Sequence, residues 1–218
     1  YKLCKDKIAV LVKTNPKVYE PQLADISNNL GTIYCKTQRF DESEQMYKDA
    51  LDVDKRLADA NPQFYEPGLV VSYNNLANLY SETQRFTESE QMYKDALEIS
   101  KRLVKSNPQA NERGLAASYL NLANLYMRNQ RFTESEKIYK SAVEIYKRLA
   151  ESNPQAYESD LAYSYNNLAI LYSKTQRLTE SEKMYKSALE IHKRLADANP
   201  HAYESDLAAN YNNLADLY

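Results

Sequence analysis

Glycine occurs three times and proline seven times in 218 residues, too few for the tight turns of a β-rich fold. Ala, Leu, Glu, Lys, Gln and Arg, which lose little entropy in a helix, predominate instead. Charge of one sign is not in excess either: 28 basic and 30 acidic residues are interleaved along the chain and leave a formal charge of −2. A nucleic-acid or anionic-membrane surface needs a basic excess that is missing here, so neither partner is expected. No apolar run approaches the ~20 residues required to cross a bilayer. The two cysteines, Cys4 and Cys35, have neither metal-ligand spacing nor the density of a disulfide framework. They suit a reducing compartment, and a cytoplasmic location is the expectation. The first residues, YKLCKDKIAV, carry neither an initiator Met nor a signal peptide, which suggests a segment cut from a longer chain.

What the sequence has in abundance is repetition. Asn-Pro recurs at Asn15, Asn61, Asn107, Asn153 and Asn199, always at an interval of 46 residues. Tyr34, Tyr80, Tyr126, Tyr172 and Tyr218 form one column in this register, and Leu30, Leu76, Leu122, Leu168 and Leu214 form another. Self-similarity at such a period is the signature of a stacked repeat architecture with no separate domains.

Within one unit, apolar or small residues at Leu69, Tyr73, Leu76, Ala77 and Tyr80 keep helical spacing and predict a helix A from Leu69 to Thr83. Thr87 with Glu90 matches a capping box, as do Thr133 with Glu136, Thr179 with Glu182 and Asp41 with Glu44, so a helix B is predicted to begin there. Helix B buries Ser89, Tyr93, Ala96, Leu97 and Leu103 and stops before Asn107-Pro108, because Pro disfavours α geometry in its predecessor. Each unit therefore reads as a helix, a short turn and a longer helix, whose apolar stripes are covered only when units stack.

Tyr73, Leu76, Ala77, Tyr80, Ser89, Tyr93 and Ala96 together resemble the tetratricopeptide repeat pattern, aromatic-x2-Leu-small-x2-Tyr followed by small-x3-aromatic-x2-Ala. Two departures are visible: Lys101 replaces the family's closing Pro, and the unit has 46 residues instead of the usual ~34, which lengthens helix B. This variant is similar to the repeats of kinesin light chains and of bacterial signalling proteins that carry such arrays, the first comparison strengthened by the stretch Asn74 to Ala77. The resemblance implies an all-α, right-handed α-α superhelix of about five helix pairs. In this frame residues 1–14 are helix B of a truncated repeat, full repeats occupy 20–65, 66–111, 112–157 and 158–203, and 204–218 is helix A of a further repeat, all in a single solenoid. Helices lacking their mates expose apolar stripes at both ends, so head-to-tail self-association is a further expectation.

Features that could carry chemistry are mostly explained by packing. Eighteen of twenty tyrosines fall in four columns represented by Tyr65, Tyr73, Tyr80 and Tyr93; only Tyr146 and Tyr163 stand apart. His192 and His201 appear once each, without convergent partners, and read as surface substitutions. No metal site, glycine-rich phosphate loop or nucleophile elbow is recognisable, so no cofactor and no enzymatic activity are expected. Arg39, Arg85, Arg131 and Arg177, and the Lys-Arg pairs beginning at Lys55, Lys101, Lys147 and Lys193, lie near Glu or Asp and read as solvated faces and helix-dipole compensation.

The asparagines differ. Asn29, Asn75, Asn121, Asn167 and Asn213 recur in every A helix, with Asn28, Asn74, Asn166 and Asn212 before them. At about 100° per residue, Asn75 lies opposite the packing stripe, so the column is expected outside the core. The resemblance implies that this face is the concave one and that the carboxamides hold the backbone of an extended peptide, to which they can offer an acceptor and two donors. Alternatively, the asparagines bond one another between repeats. Beside them, Leu120 and Met127, and Tyr163 and Ile170, are seven residues apart and flank Asn121 and Asn167 as an apolar patch, unless Leu120 and Ile170 pack between neighbouring helices. The columns Asp25/Val71/Ala117/Tyr163/Ala209, Thr32/Asn78/Asn124/Ile170/Asp216 and Lys36/Glu82/Arg128/Lys174 vary on the same face, where specificity is expected. The functional expectation is a protein-interaction scaffold that grips an extended peptide or partner helix. The rival reading is a structural or sensor arm of a larger effector whose catalytic domain lies elsewhere.

Overall fold

The computed structural model describes residues 2–217, and among them ten α-helices and no strand occur. They are α1 (Lys2–Val12), α2 (Pro16–Lys36), α3 (Phe40–Ala60), α4 (Pro62–Glu82), α5 (Phe86–Ser106), α6 (Pro108–Arg128), α7 (Phe132–Ser152), α8 (Pro154–Lys174), α9 (Leu178–Ala198) and α10 (Pro200–Ala215). The even-numbered helices are the A helices and the odd-numbered ones the B helices. Tyr1 and Tyr218 lie outside the described residues, and with Tyr218 the last member of the Tyr34 column; of Lys2 and Cys4 only the backbone is described.

Both joints of the repeat are tighter than the sequence suggests. Asn-Pro ends helix B and also starts the next helix A: Asn61 is the one residue between α3 and α4, with Pro62 as the first helical residue. Proline fits there because its missing N–H would have no partner in the first turn and its fixed φ suits a helix. At Asn153 and Asn199 the side chain also accepts the N–H of Ala156 and of Ala202. Helix A therefore begins seven residues before Leu69, and α2 to α9 are each 21 residues long. The extra length of the repeat is shared by both helices rather than added to helix B. The natural boundary is the Asn-Pro step, and the frames 20–65, 66–111, 112–157 and 158–203 cut into A helices.

At the other joint, the expected capping boxes do not form. Helix α5 starts at Phe86, α7 at Phe132 and α9 at Leu178, with Arg85, Arg131 and Arg177 as N-caps that make no side-chain capping bond. The preceding helix closes in a Schellman motif that sets this start. Gln84 has φ 61°, its N–H meets Ser81 O at 3.2 Å, and Arg85 N–H meets Tyr80 O at 2.7 Å. Gln38, Gln130 and Gln176 occupy the same left-handed position. A side chain there costs roughly 1–2 kcal/mol that glycine avoids. Gln84→Gly is therefore expected to raise unfolding stability by about 0.5–1 kcal/mol, less than the full cost because glycine also loosens the unfolded chain; a urea titration showing destabilisation would contradict it.

The chain divides into two compact units, one ending at Asn111 and one beginning at Glu112. In the first, Tyr47, Leu51, Leu69, Leu76, Leu79, Tyr80, Ile99 and Leu103 form a continuous core across α3, α4 and α5. In the second, Leu122, Leu125, Tyr126, Tyr139, Ile145, Tyr146, Leu168, Leu171 and Tyr172 are buried. The A and B helices of a pair approach closely at a small-residue contact. Ser43, Ser89, Ser135 and Ser181 are buried and donate to the backbone carbonyls of Gly31, Ala77, Ala123 and Ala169, each at 2.8 Å.

The arginines of the basic columns face water, as expected, and also pair between helices. Arg85 stacks on Tyr80 of its own helix A, 4.1 Å from the ring centroid, and reaches back to Glu44 of the preceding helix B at 2.6 Å. Glu44 also accepts from Tyr80 Oη at 3.0 Å and pairs with Lys48 at 2.8 Å. The second unit repeats this with Tyr172, Arg177, Glu136 and Lys140. At the opposite helix ends, Arg56 pairs with Glu20, Arg102 with Glu66, Arg148 with Glu112 and Arg194 with Glu158, tying each B helix to its own A helix.

Burial alone would raise the Glu44 pKa, but the bonds from Lys48, Arg85 and Tyr80 outweigh it and hold the group at about 2, below its ordinary 4.5. A carboxylate with a depressed folded-state pKa adds stability above its unfolded pKa and loses it as pH falls through the folded one. Between about pH 4.5 and 2 the native chain should thus lose more stability than Glu44→Gln, as followed by thermal melts across that window. Parallel pH slopes would contradict the linkage.

Candidate interaction surface

The surface that the sequence singled out is the asparagine-bearing side of the A helices, and the two units build it differently. In the first unit Asn29 is exposed and Asn75 half-buried. Asn75 Nδ2 donates to Asn28 Oδ1 at 3.0 Å, Asn28 Nδ2 donates to Ser72 Oγ at 2.8 Å, and Ser72 donates to buried Asp54 Oδ2 at 2.5 Å. Here the amides bond one another between neighbouring A helices. Burial pushes the Asp54 pKa up, the Ser72 bond opposes this, and nearby Asp25 adds to the rise.

In the second unit Asn121 and Asn213 are half-buried, but Asn167 is only 8% exposed, contrary to the expectation that the column lies outside the core. Its Nδ2 is buried without a hydrogen-bond partner. One turn earlier on α8, Tyr163 is 54% exposed. Met127 and Ile170 are half-buried, whereas Leu120 is buried in the core, so the sequence's apolar patch loses Leu120.

The fully buried Tyr139 of α7 links the others: its hydroxyl bonds Asn124 and lies 3.8 Å from Met127 Sδ. Burial raises the Tyr139 pKa, and the charge of Tyr163 raises it further. Met127 and Asn124, both on α6, thus share Tyr139 as a partner. The column Thr32/Asn78/Asn124 has a structural duty that the sequence did not reveal, since Tyr47, Tyr93 and Tyr139 of the paired B helices bond to it. Ile170 cannot accept such a bond.

Of the two histidines, His201 is exposed, but His192 is not a surface substitution: it is 4% exposed, between α9 and α10. Its column, Asp54, Ser100, Tyr146 and His192, is buried in α3, α5, α7 and α9. His192 lies four residues after Ala188 and three before Leu195, both buried, a helical spacing that would have identified it. Among the described residues, no helix is long and apolar enough to cross a membrane.

Comparisons with known proteins agree with this architecture. Tetratricopeptide repeat family profiles match residues 22–102, and again 115–155 and 161–201, most of the chain. A search of curated proteins finds no significant match. Among solved structures, BtubC from P. vanneervenii is similar with a TM-score of 0.76 at 24% identity, over 98% of this chain and 78% of that one. A kinesin-light-chain-like protein of Podosopora anserina, with nearly identical TPR-like repeats, gives 0.69 at 17% identity over 91% of this chain and 86% of its own. The apo form of RapI gives 0.65 at 16% identity, over 81% of this chain and 58% of its own. At these identities the likeness speaks for the fold, an all-α solenoid of helix pairs. With the repeat pattern, the helix pairing and the profile matches in agreement, the chain belongs to the tetratricopeptide repeat family.

Proposed function

We propose that this protein-interaction scaffold holds an extended peptide against its A-helix face, centred in the second unit on Tyr163, Asn167, Ile170, Met127 and Asn121. The observation that carries the reading is the Asn167 amide, buried with an unpartnered Nδ2 one helical turn from exposed Tyr163. A buried donor without an acceptor costs about 1–3 kcal/mol, and a peptide carbonyl that reaches it on a shift of the Tyr163 ring recovers that cost. Tyr163 then packs on one bulky peptide side chain, as an aromatic anchor does. Asn121 and Asn213, half-buried on the flanking A helices, extend the row of amides.

The test begins with peptides selected from a displayed random library on the immobilised chain, followed by affinity measurements on variants. Tyr163→Ala should weaken a selected peptide by ~1–3 kcal/mol, or roughly 5- to 150-fold. Asn121→Ala with Asn167→Ala should abolish measurable binding while leaving the melting temperature nearly unchanged, because the Asn167 amide makes no bond at Nδ2 in the free protein. A double variant that unfolds readily, together with a Tyr163→Ala variant that binds normally, would mark the asparagines as struts and favour the reading of a spacer arm.

A further inference from the structure

The asparagine amides of the two units point in opposite senses, and in each unit the chain of hydrogen bonds leads to a buried residue of helix B. In the first unit the end point is Asp54. As a carboxylate it only accepts, so it takes the single Ser72 proton; Ser72 must then accept from Asn28 Nδ2, and Asn28 Oδ1 is left to accept from Asn75. The inward group of Asn28 is thereby its N–H.

In the second unit His192 stands where Asp54 does, and Asn210 stands where Ser72 does. Asn210 Nδ2 lies 3.4 Å from His192 Nδ1 and donates to Asn166 Oδ1 at 2.8 Å. The inward group of Asn166, the counterpart of Asn28, is its carbonyl. Asn210 is fully buried, and its own Oδ1 has no partner.

We propose that Asp54 and His192 are positioning residues that set the direction of the A-face amides, and that a proton on His192 reverses the setting in the second unit. Neutral His192 offers Nδ1 as an acceptor to Asn210. Protonated, it presents a second donor to a donor. Rotating the Asn210 carboxamide by half a turn removes the conflict and gives its unpartnered Oδ1 a bond from His192. That oxygen then faces Asn166 Oδ1, so Asn166 must rotate as well and donate inward, as Asn28 does in the first unit. The outward group beside Asn167 changes accordingly.

The charges around His192 do not hold it in one state. From α10, Asp206 favours the proton, while burial, the larger effect, lowers the imidazole pKa from its ordinary 6.5. On α9 itself, Lys193 sits over the Tyr211 ring at 5.6 Å, and Arg194 pairs with Glu158 of α8 at 2.5 Å. The titration is therefore expected below the ordinary imidazole value.

Its functional consequence rests on the peptide reading of this face, but the test needs no peptide, so the two can fail separately. The side-chain amide signals of Asn166 and Asn210 would be followed by 15N NMR on the full chain, together with the His192 ring, from pH 8 to the acid limit of folding. Both amides should titrate with the midpoint of His192, and the change should vanish in His192→Ser, the residue present at Ser100. The double variant His192→Asp with Asn210→Ser, which transplants the Asp54 and Ser72 pair, should hold Asn166 in the acid-form position at neutral pH. An Asn166 signal that stays still while His192 titrates would overturn the proposal. So would a simultaneous loss of all α9 and α10 backbone signals, which is opening of the helix pair rather than amide rotation.

Discussion

Tyr139→Ala is expected to cost about 3–5 kcal/mol of unfolding stability, the range for truncating a fully buried aromatic side chain. Tyr139 has no exposed surface, lies at the contact between α7 and α6, and closes that contact with a hydroxyl bond to Asn124. Truncation leaves a cavity that paired helices cannot collapse without breaking the adjacent Ser135 to Ala123 bond. Tyr139→Phe, which keeps the ring and deletes the hydroxyl, should cost only about 1 kcal/mol, because half-buried Asn124 can turn to water. Denaturant titration of both variants would separate packing from hydrogen bonding. A Tyr139→Ala variant within about 1 kcal/mol of the parent would mean that the ring does not anchor the pair.

A comparable loss is expected from enlargement rather than truncation. Ser89 is fully buried and bonds Ala77 O at 2.8 Å, so helix α5 can lie this close to α4 only because both positions are small. Ser89→Leu adds volume where no cavity exists, and overpacking of this kind costs roughly 1–3 kcal/mol, occasionally more. The upper end is expected here, because the obstacle opposite is helix backbone, which cannot change rotamer. Ser89→Ala should cost about 1 kcal/mol or less, since the Ala77 carbonyl retains its helical partner. Equal effects of Ala and Leu at this position would place the contribution in the hydroxyl and contradict a close helix contact.

Much of the fold was legible because one physical rule recurs every 46 residues. The stripes of Leu76, Ala77 and Tyr80 and of Tyr93, Ala96 and Leu97 gave the helix pairing, and all six residues are buried. The joints were harder to read. Asn-Pro carries a stop for one helix and a start for the next, and only the stop was taken from it, which shortened helix A. Thr87 with Glu90 satisfies the capping-box pattern, but Tyr80, Ser81 and Gln84 close the previous helix so tightly that α5 has already begun at Phe86. That closure depends on a left-handed glutamine, a conformation that residue type does not advertise. The candidate site could be projected from the sequence as one helix face, without its detail. The spacing opposite the core stripe located Asn75 and Tyr163, yet burial of Asn167 and the different partners of Asn28 and Asn166 depend on neighbouring repeats, which no single-helix projection contains.

Site-specific photocrosslinking tests the central claim most directly. A benzophenone amino acid placed at Tyr163 on α8, or at Glu144 on the exposed side of the B helix α7, would be irradiated with a peptide selected for binding to the chain. The account predicts capture of the peptide from position 163 and none from position 144, with capture lost when excess unlabelled peptide competes. Capture from position 144 alone would place the partner on the B helices and contradict an A-helix interaction surface.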